Sequence, residues 1–452
     1  MVVGYTDEER LIGDAAMNQQ KKNFKNTLMF FTRFIGLNTD CVEQLKKEEQ
    51  FITYKLVPLE NKKIGFEVNI RGNTEILTPE QVLAYYFRKT KTFFEVSGIS
   101  SHEIVITVPS YYSNVERQGI LDAAEIAGLK CIRLINEGTA IALNYGFFRK
   151  ADLPEKDPRN VVFVDLGHSK TTITIASFLK GKTRIVIHKS DRNLGARNMD
   201  ADLVEVLGAE FTKKYGVDPR KNIRARLRML DVIEKQRKIL SGVKHATIHL
   251  ESLLEDEDLK KNLDRGEFEK LIEPMITDFQ ALLVATLSES GLKKEQIHSV
   301  ELVGDATRIP LVQEKIKEVF GVEQCSRTLN SLECVARGAS LQAAMLSPLF
   351  KVADFEVQEY NSLPVSITYH FTNDAEKKTV TKELFPVGSS FPSTKTITFE
   401  KKKGGMDLVV HYSNGAQLLP GLPVNVAHYN INEGKPKHEK ISFILRVSNN
   451  IH

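Results

Sequence analysis

Residues 163–175 read FVDLGHSKTTITI. An apolar run, Val161 to Val164, and an alternating run, Thr171 to Ile175, flank a short turn, so the stretch reads strand, turn, strand, with Asp165 where the first strand ends. A turn of this kind can hold a phosphate, because its backbone N–H groups can approach an anion wherever no Cβ intervenes. This one carries a single glycine, Gly167, followed by His168, Ser169 and Lys170, which leaves its use of a nucleotide open.

Three further constellations could do chemistry. LINEGTAIALNYG (134–146) sets Glu137 at the start of a helix whose small Ala140 and Ala142 permit close packing. In RARLRMLDVIEKQRKILSG, Glu234, Lys238 and Ser241 are spaced i, i+4, i+7 and share one helix face, with Arg237 beside them; a solvated helix surface is the commoner source of such spacing. VELVGDATRIPLVQEKI (300–316) reads strand, turn, helix with Pro310 in the first helical turn, which puts Gly304 and Arg308 by a helix N-terminus suited to anions. Each is weak alone.

The elements that must position these residues alternate. TPEQVLAYYFRKTKTFFEV has helical spacing, HEIVITVPSYY is a strand closed by Pro109, and NVERQGILDAAEIAGL is a helix again. After a polar break at 151–160, a second α/β segment runs to residue 346. Beyond LSPLFKVADF come only short alternating runs separated by Asn, Gly and Pro clusters, the texture of a β-sandwich. The expected organisation is a first lobe over 1–150, a second over 151–347 with a helix returning to the first, a linker at 348–355 and an all-β domain over 356–452.

The 452-residue chain is 42% hydrophobic and 27% charged, ordinary for a soluble globular protein. Its net charge of +4 argues for no nucleic-acid partner, and Lys401 to Lys403 read as a solvated strand end. Four cysteines without a C-x-x-C pair suit a reducing compartment, and no stretch is apolar enough to indicate a membrane span. The expected location is cytoplasmic or nuclear.

In this order, YTDEERLIGDAAMNQ (5–19), ITVPSYYSNVERQGILDAAEIAGL (106–129), INEGTAIALNYG (135–146), VDLGHS (164–169), EKQRKILS (234–241) and VGDATRIP (303–310) are similar to the 70-kDa heat-shock chaperones. DLGHS and LSPLFKVADF resemble more closely the large relatives, the 110-kDa heat-shock proteins. The resemblance implies an actin-like ATP-binding domain of two lobes around a cleft, joined to a peptide-binding β-sandwich. By the same resemblance Asp165 and Glu137 hold ATP or ADP through a magnesium–water cluster with no direct protein ligand to the metal, while Gly167, His168 and Gly195 lie along the phosphates. Glu234, Arg237, Lys238 and Ser241 close on the nucleoside, Gly304, Asp305 and Arg308 form the adenosine turn, and Pro109 and Arg117 relay the nucleotide state to the linker.

The chain also departs from that pattern. Thr32 stands where the family has its catalytic lysine, and losing one transition-state donor typically costs about 10²–10³ in rate, so weak or absent hydrolysis is expected. Arg33 is adjacent but should point elsewhere. Asp305 and Ala196 replace glycines, Leu332 an aspartate and Gly138 a proline. The family's first phosphate hairpin and its helical lid have no counterpart in the 452 residues. The expected function is a nucleotide-exchange co-chaperone of a 70-kDa chaperone and a holdase for unfolded polypeptides. The alternatives are a hydrolysing folding chaperone, a degenerate scaffold or a metabolite kinase.

Overall fold

The computed structural model describes residues 1–98, 102–372, 379–400, 405–431 and 440–447. The expected lysine run at 401–403 and the extension of the last domain to 452 lie outside these. The first 98 residues form two three-stranded antiparallel sheets, Val2–Tyr5 with Arg10–Ile12 and Thr27–Met29, and Lys55–Pro58 with Ile64–Ile70 and Asn73–Leu77. The helix Pro79–Val96 follows. Its start is written locally: Thr78 and Gln81 cap each other's backbone N–H, and Pro79 occupies a first-turn position that needs no donor.

Next come β1 (Glu103–Val108), a helix Asn114–Ile126 started by the Ser113–Glu116 capping box, β2 (Lys130–Asn136) parallel to β1, and α1 (Glu137–Phe148). Phe31, Phe34, Phe66, Val82 and Ile120 form the core of this first lobe.

The second lobe is built on β3 (Arg159–Leu166), β4 (Thr171–Leu179) and β5 (Lys182–Asp191), consecutive antiparallel strands. Then follow α2 (Ala196–Tyr215), α3 (Ile223–Leu240), a hairpin over 245–264, β6 (Ile297–Leu302) parallel to β3, and α4 (Pro310–Phe320). The buried runs of β3 and β4 pack with Met199, Leu203, Met229, Phe279 and Phe320 in a separate core. The return helix α5 (Cys334–Leu346) lies directly on α1: a Cβ at Gly338 would fall 1.9 Å from the Ala140 carbonyl oxygen.

The chain then rejoins the second lobe. β7 (Glu356–Tyr360) pairs in parallel with β5, and β8 (Ser390–Phe391) pairs with β7, giving a six-stranded sheet in the order β6-β3-β4-β5-β7-β8. The strand at the expected domain boundary is therefore an integral part of the α/β sheet. The remaining strands make a four-stranded sheet (Val380–Phe385, Val365–Phe371, Met406–Tyr412, Asn425–Ile431) and a pair, Ser393–Glu400 with Lys440–Val447, sharing the core of Ile367, Phe385, Phe399 and Leu408. Among the described residues after 346 there is no helix.

Candidate functional site

The 165–170 turn closes the β3–β4 hairpin. Asp165 pairs in register with Thr172, and Gly167 N donates to the Lys170 carbonyl at 3.0 Å. A Cβ at Gly167 would meet only Lys170 O at 3.4 Å and Asp165 Oδ1 at 3.9 Å, so the glycine has free space beside it. Gly195 and Gly304 are different. A Cβ at Gly195 would sit 2.5 Å from His168 O and one at Gly304 2.2 Å from Leu166 O, so both are pressed against the turn itself. The carbonyls of Gly167 and His168 already accept Ala196 N and Arg197 N, at 3.1 and 2.7 Å, so the start of α2 is committed to the turn.

Glu137, the first residue of α1, faces this turn and forms an ion pair with the Lys170 ammonium. Burial and the neighbouring Glu137 push the Asp165 pKa up to about 6, with Lys170 opposing and Asp305 adding. Burial would lower the Lys170 pKa, but Glu137, then Tyr111, outweigh it and keep the amine charged. The His168 ring stacks on Phe30, centroids 5.6 Å apart at 11°. His168 is exposed, and partial loss of water around its ring lowers the pKa against the pull of Glu234. Phe30 is held at φ 57°, a left-handed conformation costly for a bulky residue.

On the exposed face of α3, Glu234 and Lys238 pair at 2.6 Å. Arg237 turns away from them, buried against Asp200 at 2.6 Å, and Ser241 caps the helix with its hydroxyl 3.4 Å from the Arg237 carbonyl. Asp305 pairs with its own neighbour Arg308 at 3.4 Å, both side chains more than half exposed. The structure thus brings Asp165 and Glu137 together at the turn, sets His168 against Phe30 near Glu234, leaves Glu234, Lys238, Asp305 and Arg308 open, and withdraws Arg237, Gly195 and Gly304 into the packing.

Thr32, Glu137, Ser169, Lys170, Arg192 and Leu332 line one cavity of about 720 Å³. The Thr32 carbonyl accepts the Tyr112 hydroxyl at 3.1 Å. Arg33 does point elsewhere, to Glu48 at 2.8 Å and Asn193 at 2.9 Å. Among the described residues no cluster of three His, Cys, Asp or Glu side chains could hold a metal directly.

Pro109 and Arg117 sit where the lobes meet the β-rich segment. Pro109 O accepts Tyr112 N, and Arg117 reaches Tyr112 O at 3.0 Å and Asn136 Oδ1 at 2.7 Å, leaving its Nη1 buried without a hydrogen bond. Beside it, Asn114 N donates to the Tyr412 hydroxyl at 2.7 Å. His188 on β5 bonds Glu359 on β7 at 2.9 Å and Thr174 at 2.9 Å, with Thr139 donating to the same carboxylate. This explains Gly138: a Cβ there would lie 2.1 Å from Thr174 Oγ1 and 2.8 Å from the His188 ring.

Sequence reasoning passed over Lys170 as a functional residue, although a cation directly after a phosphate-type turn is a usable signal. It also missed His188, Glu359 and Glu48, because the His188–Glu359 and Glu48–Arg197 contacts join residues 171 and 149 positions apart and leave no local signature.

A sequence profile of the Hsp70 family, described as "Hsp70 protein", matches residues 1–450. The chain is 38% identical to the "97 kDa heat shock protein" of Strongylocentrotus purpuratus over 99% of its own length and 50% of that protein. It is 36% identical to a heat shock protein homolog of Saccharomyces cerevisiae, over 95% of this chain and 62% of the relative. To "Heat shock protein hsp88" of Neurospora crassa it is 38% identical, over 93% and 59%. The chain thus spans about half to three-fifths of these relatives. The mixed α/β sheets of the two lobes fit the actin-like ATPase fold of that family. The chain belongs to the Hsp70 family of heat-shock chaperones and is similar to its large, 110-kDa-type members.

Proposed function

We propose that the chain binds ATP or ADP with magnesium, acts as a nucleotide-exchange partner of a 70-kDa heat-shock chaperone, and holds unfolded polypeptides, in the cytoplasm or nucleus. The residues suit such a ligand: Gly167 leaves room beside the turn, and the carboxylates of Asp165 and Glu137 stand close to each other. These two would hold magnesium through its water, with Glu234, Lys238 and Arg308 available on the nucleoside side. Magnesium would supply charge neutralisation for the phosphates. The edges of the four-stranded sheet offer backbone groups to extended peptides.

The observation that carries the exchange role is the attachment of the β-rich segment to both lobes. β7 is paired into the second lobe's sheet, and Leu422 packs with Leu37, Cys41 and Ile64 of the first. A chain braced in this way presents a fixed surface to a partner rather than a hydrolytic cycle of domain release. Stopped-flow release of labelled ADP from a 70-kDa chaperone tests it. Acceleration rising with the concentration of this chain is expected, and release unchanged at concentrations where sedimentation shows the two bound would overturn it.

The hydrolysing chaperone is the second reading, and it has one observation on its side: an ammonium, that of Lys170, does face the carboxylate pair. Single-turnover phosphate release separates the two readings, since turnover comparable to an intact 70-kDa chaperone requires the second.

A further inference from the structure

Three side-chain cations line the 720 Å³ cavity: Arg33, Lys170 and Arg192. Two are spent on the framework. Arg33 is held by Glu48 and Asn193, and Arg192 by Glu116 at 2.7 Å with its guanidinium 4.5 Å from the Tyr111 ring. Both carboxylates that receive them are sealed in the packing, Glu48 at 0% and Glu116 at 1% exposure. Lys170 differs in its partner. Its counter-charge is Glu137, whose side chain is 20% exposed and faces the same cavity, and its own side chain is 21% exposed.

The backbone holds this lysine in place. The Gly167 N to Lys170 O hydrogen bond closes the turn, and the next residue, Thr171, donates its hydroxyl to Leu194 O at 2.7 Å, which anchors the start of β4. Beyond Cα, four methylenes give the ammonium reach that a hydroxyl at position 32 does not have. Thr32 lines the same space from the opposite lobe.

We propose that Lys170 is the phosphate-binding cation of this cleft: its ammonium leaves Glu137 for a phosphate of a nucleoside diphosphate or triphosphate and supplies, from the turn, the positive charge that Thr32 does not. The inference rests on the reading of the cleft as a nucleotide site. The exchange is balanced in charge. Glu137 would exchange the ammonium for the water of a magnesium ion and Lys170 would exchange the carboxylate for a phosphate, so neither would be left alone in a half-buried site. Without Lys170 the charge left beside Glu137 and its neighbour Asp165 would be that of two carboxylates.

Titration calorimetry of the full chain with adenosine and with ADP, with and without magnesium, tests it. Lys170→Met should weaken ADP about 10- to 100-fold, the worth of one charge-assisted hydrogen bond, while adenosine affinity stays within twofold; Lys170→Arg should recover most of the loss. Glu137→Gln gives an independent arm, since an ammonium released from its carboxylate should bind ADP several-fold more tightly in the absence of magnesium. ADP affinity unchanged or improved in Lys170→Met, or a parallel loss for adenosine, would overturn the role of Lys170 while leaving the nucleotide reading standing. A wild-type chain that binds neither ligand would overturn both. If Lys170→Met does not fold, unchanged ADP affinity in Glu137→Gln is sufficient to reject the proposal.

Discussion

Glu48, on the first-lobe helix Val42–Glu49, accepts hydrogen bonds of 2.8 and 2.9 Å from Arg197 of the second lobe, with neither side chain open to solvent. Arg33 shares the same carboxylate, and Gln44 and Asn193 complete the contact. The lobes are thus joined by a buried ion cluster close to the 165–170 turn. Burial alone would raise the Glu48 pKa, but Arg197 and Arg33 hold it below the usual carboxylate range.

Breaking that cluster from one side should be costly, because it strands buried guanidiniums. Glu48→Gln is expected to lose about 3 kcal/mol of stability at pH 7. The folded carboxyl titrates below the unfolded one, so its contribution is complete above the unfolded value near ~4.3 and is lost as pH falls beneath it. Urea unfolding of both chains should show the gap at pH 7 and a much smaller one near pH 3; an equal gap at both would show that charge is not its source.

Asp165 behaves in the opposite sense. Its folded pKa of about 6 lies above its ordinary value, so the native state holds the extra proton between pH 4 and 6 and loses stability as pH rises through that window. Asp165→Asn should therefore stabilise the chain above pH 6, by up to about 2 kcal/mol since the carboxylate keeps some contact with cavity water, and leave it unchanged near pH 4. Thermal melts across pH 4–8 check this, and a variant that is less stable at pH 7 would contradict it.

Gly138→Ala tests the packing of α1 on the hairpin. In an open helix the change gains up to about 1 kcal/mol, whereas here the new methyl group would run into Thr174 and His188, and a net loss of about 2 kcal/mol is expected. Adding Thr174→Ala should return part of it, because the two sites share one contact. Additive losses in the double variant would place the clash elsewhere.

The docking of β7 depends on Glu359, whose buried carboxylate is held ionised by His188 and Thr139 against the cost of burial. Glu359→Ala should release the strand and speed tryptic cleavage at Lys351, next to the exposed Leu349 and Phe350, by at least about tenfold, one step of 1.4 kcal/mol in the docking equilibrium. Cleavage at the wild-type rate would mean that backbone pairing alone holds the strand.

What could be read from the sequence was what neighbours in the chain decide. The β3–β4 turn is closed by residues three apart, the helix starts at Thr78 and Ser113 are set by their own third residues, and Glu234 meets Lys238 one turn on. Arg237 shows where that reasoning ends. Helical spacing put it beside Lys238, but its direction was decided by Asp200, on another helix, which offers a buried guanidinium a two-point carboxylate. Lys170 was visible as a cation but not as the partner of Glu137, since the contact depends on how α1 meets the hairpin. The two sheets of the β-rich segment were legible as alternation, while the transfer of β7 to another sheet was not, because Glu356–Tyr360 has the same texture in either place.

The pairing of β5 with β7 joins Lys182 to Glu356, about 170 residues later in the chain. During synthesis at ~5–20 residues per second, β5 is made roughly 10–30 s before the strand that covers it. Through that interval the second lobe can fold its other strands but carries an uncovered row of backbone donors and acceptors along β5, open to pairing with any extended segment nearby. Every newly made copy of this chain thus passes through a stage in which it carries the same exposed edge as an unfolded polypeptide.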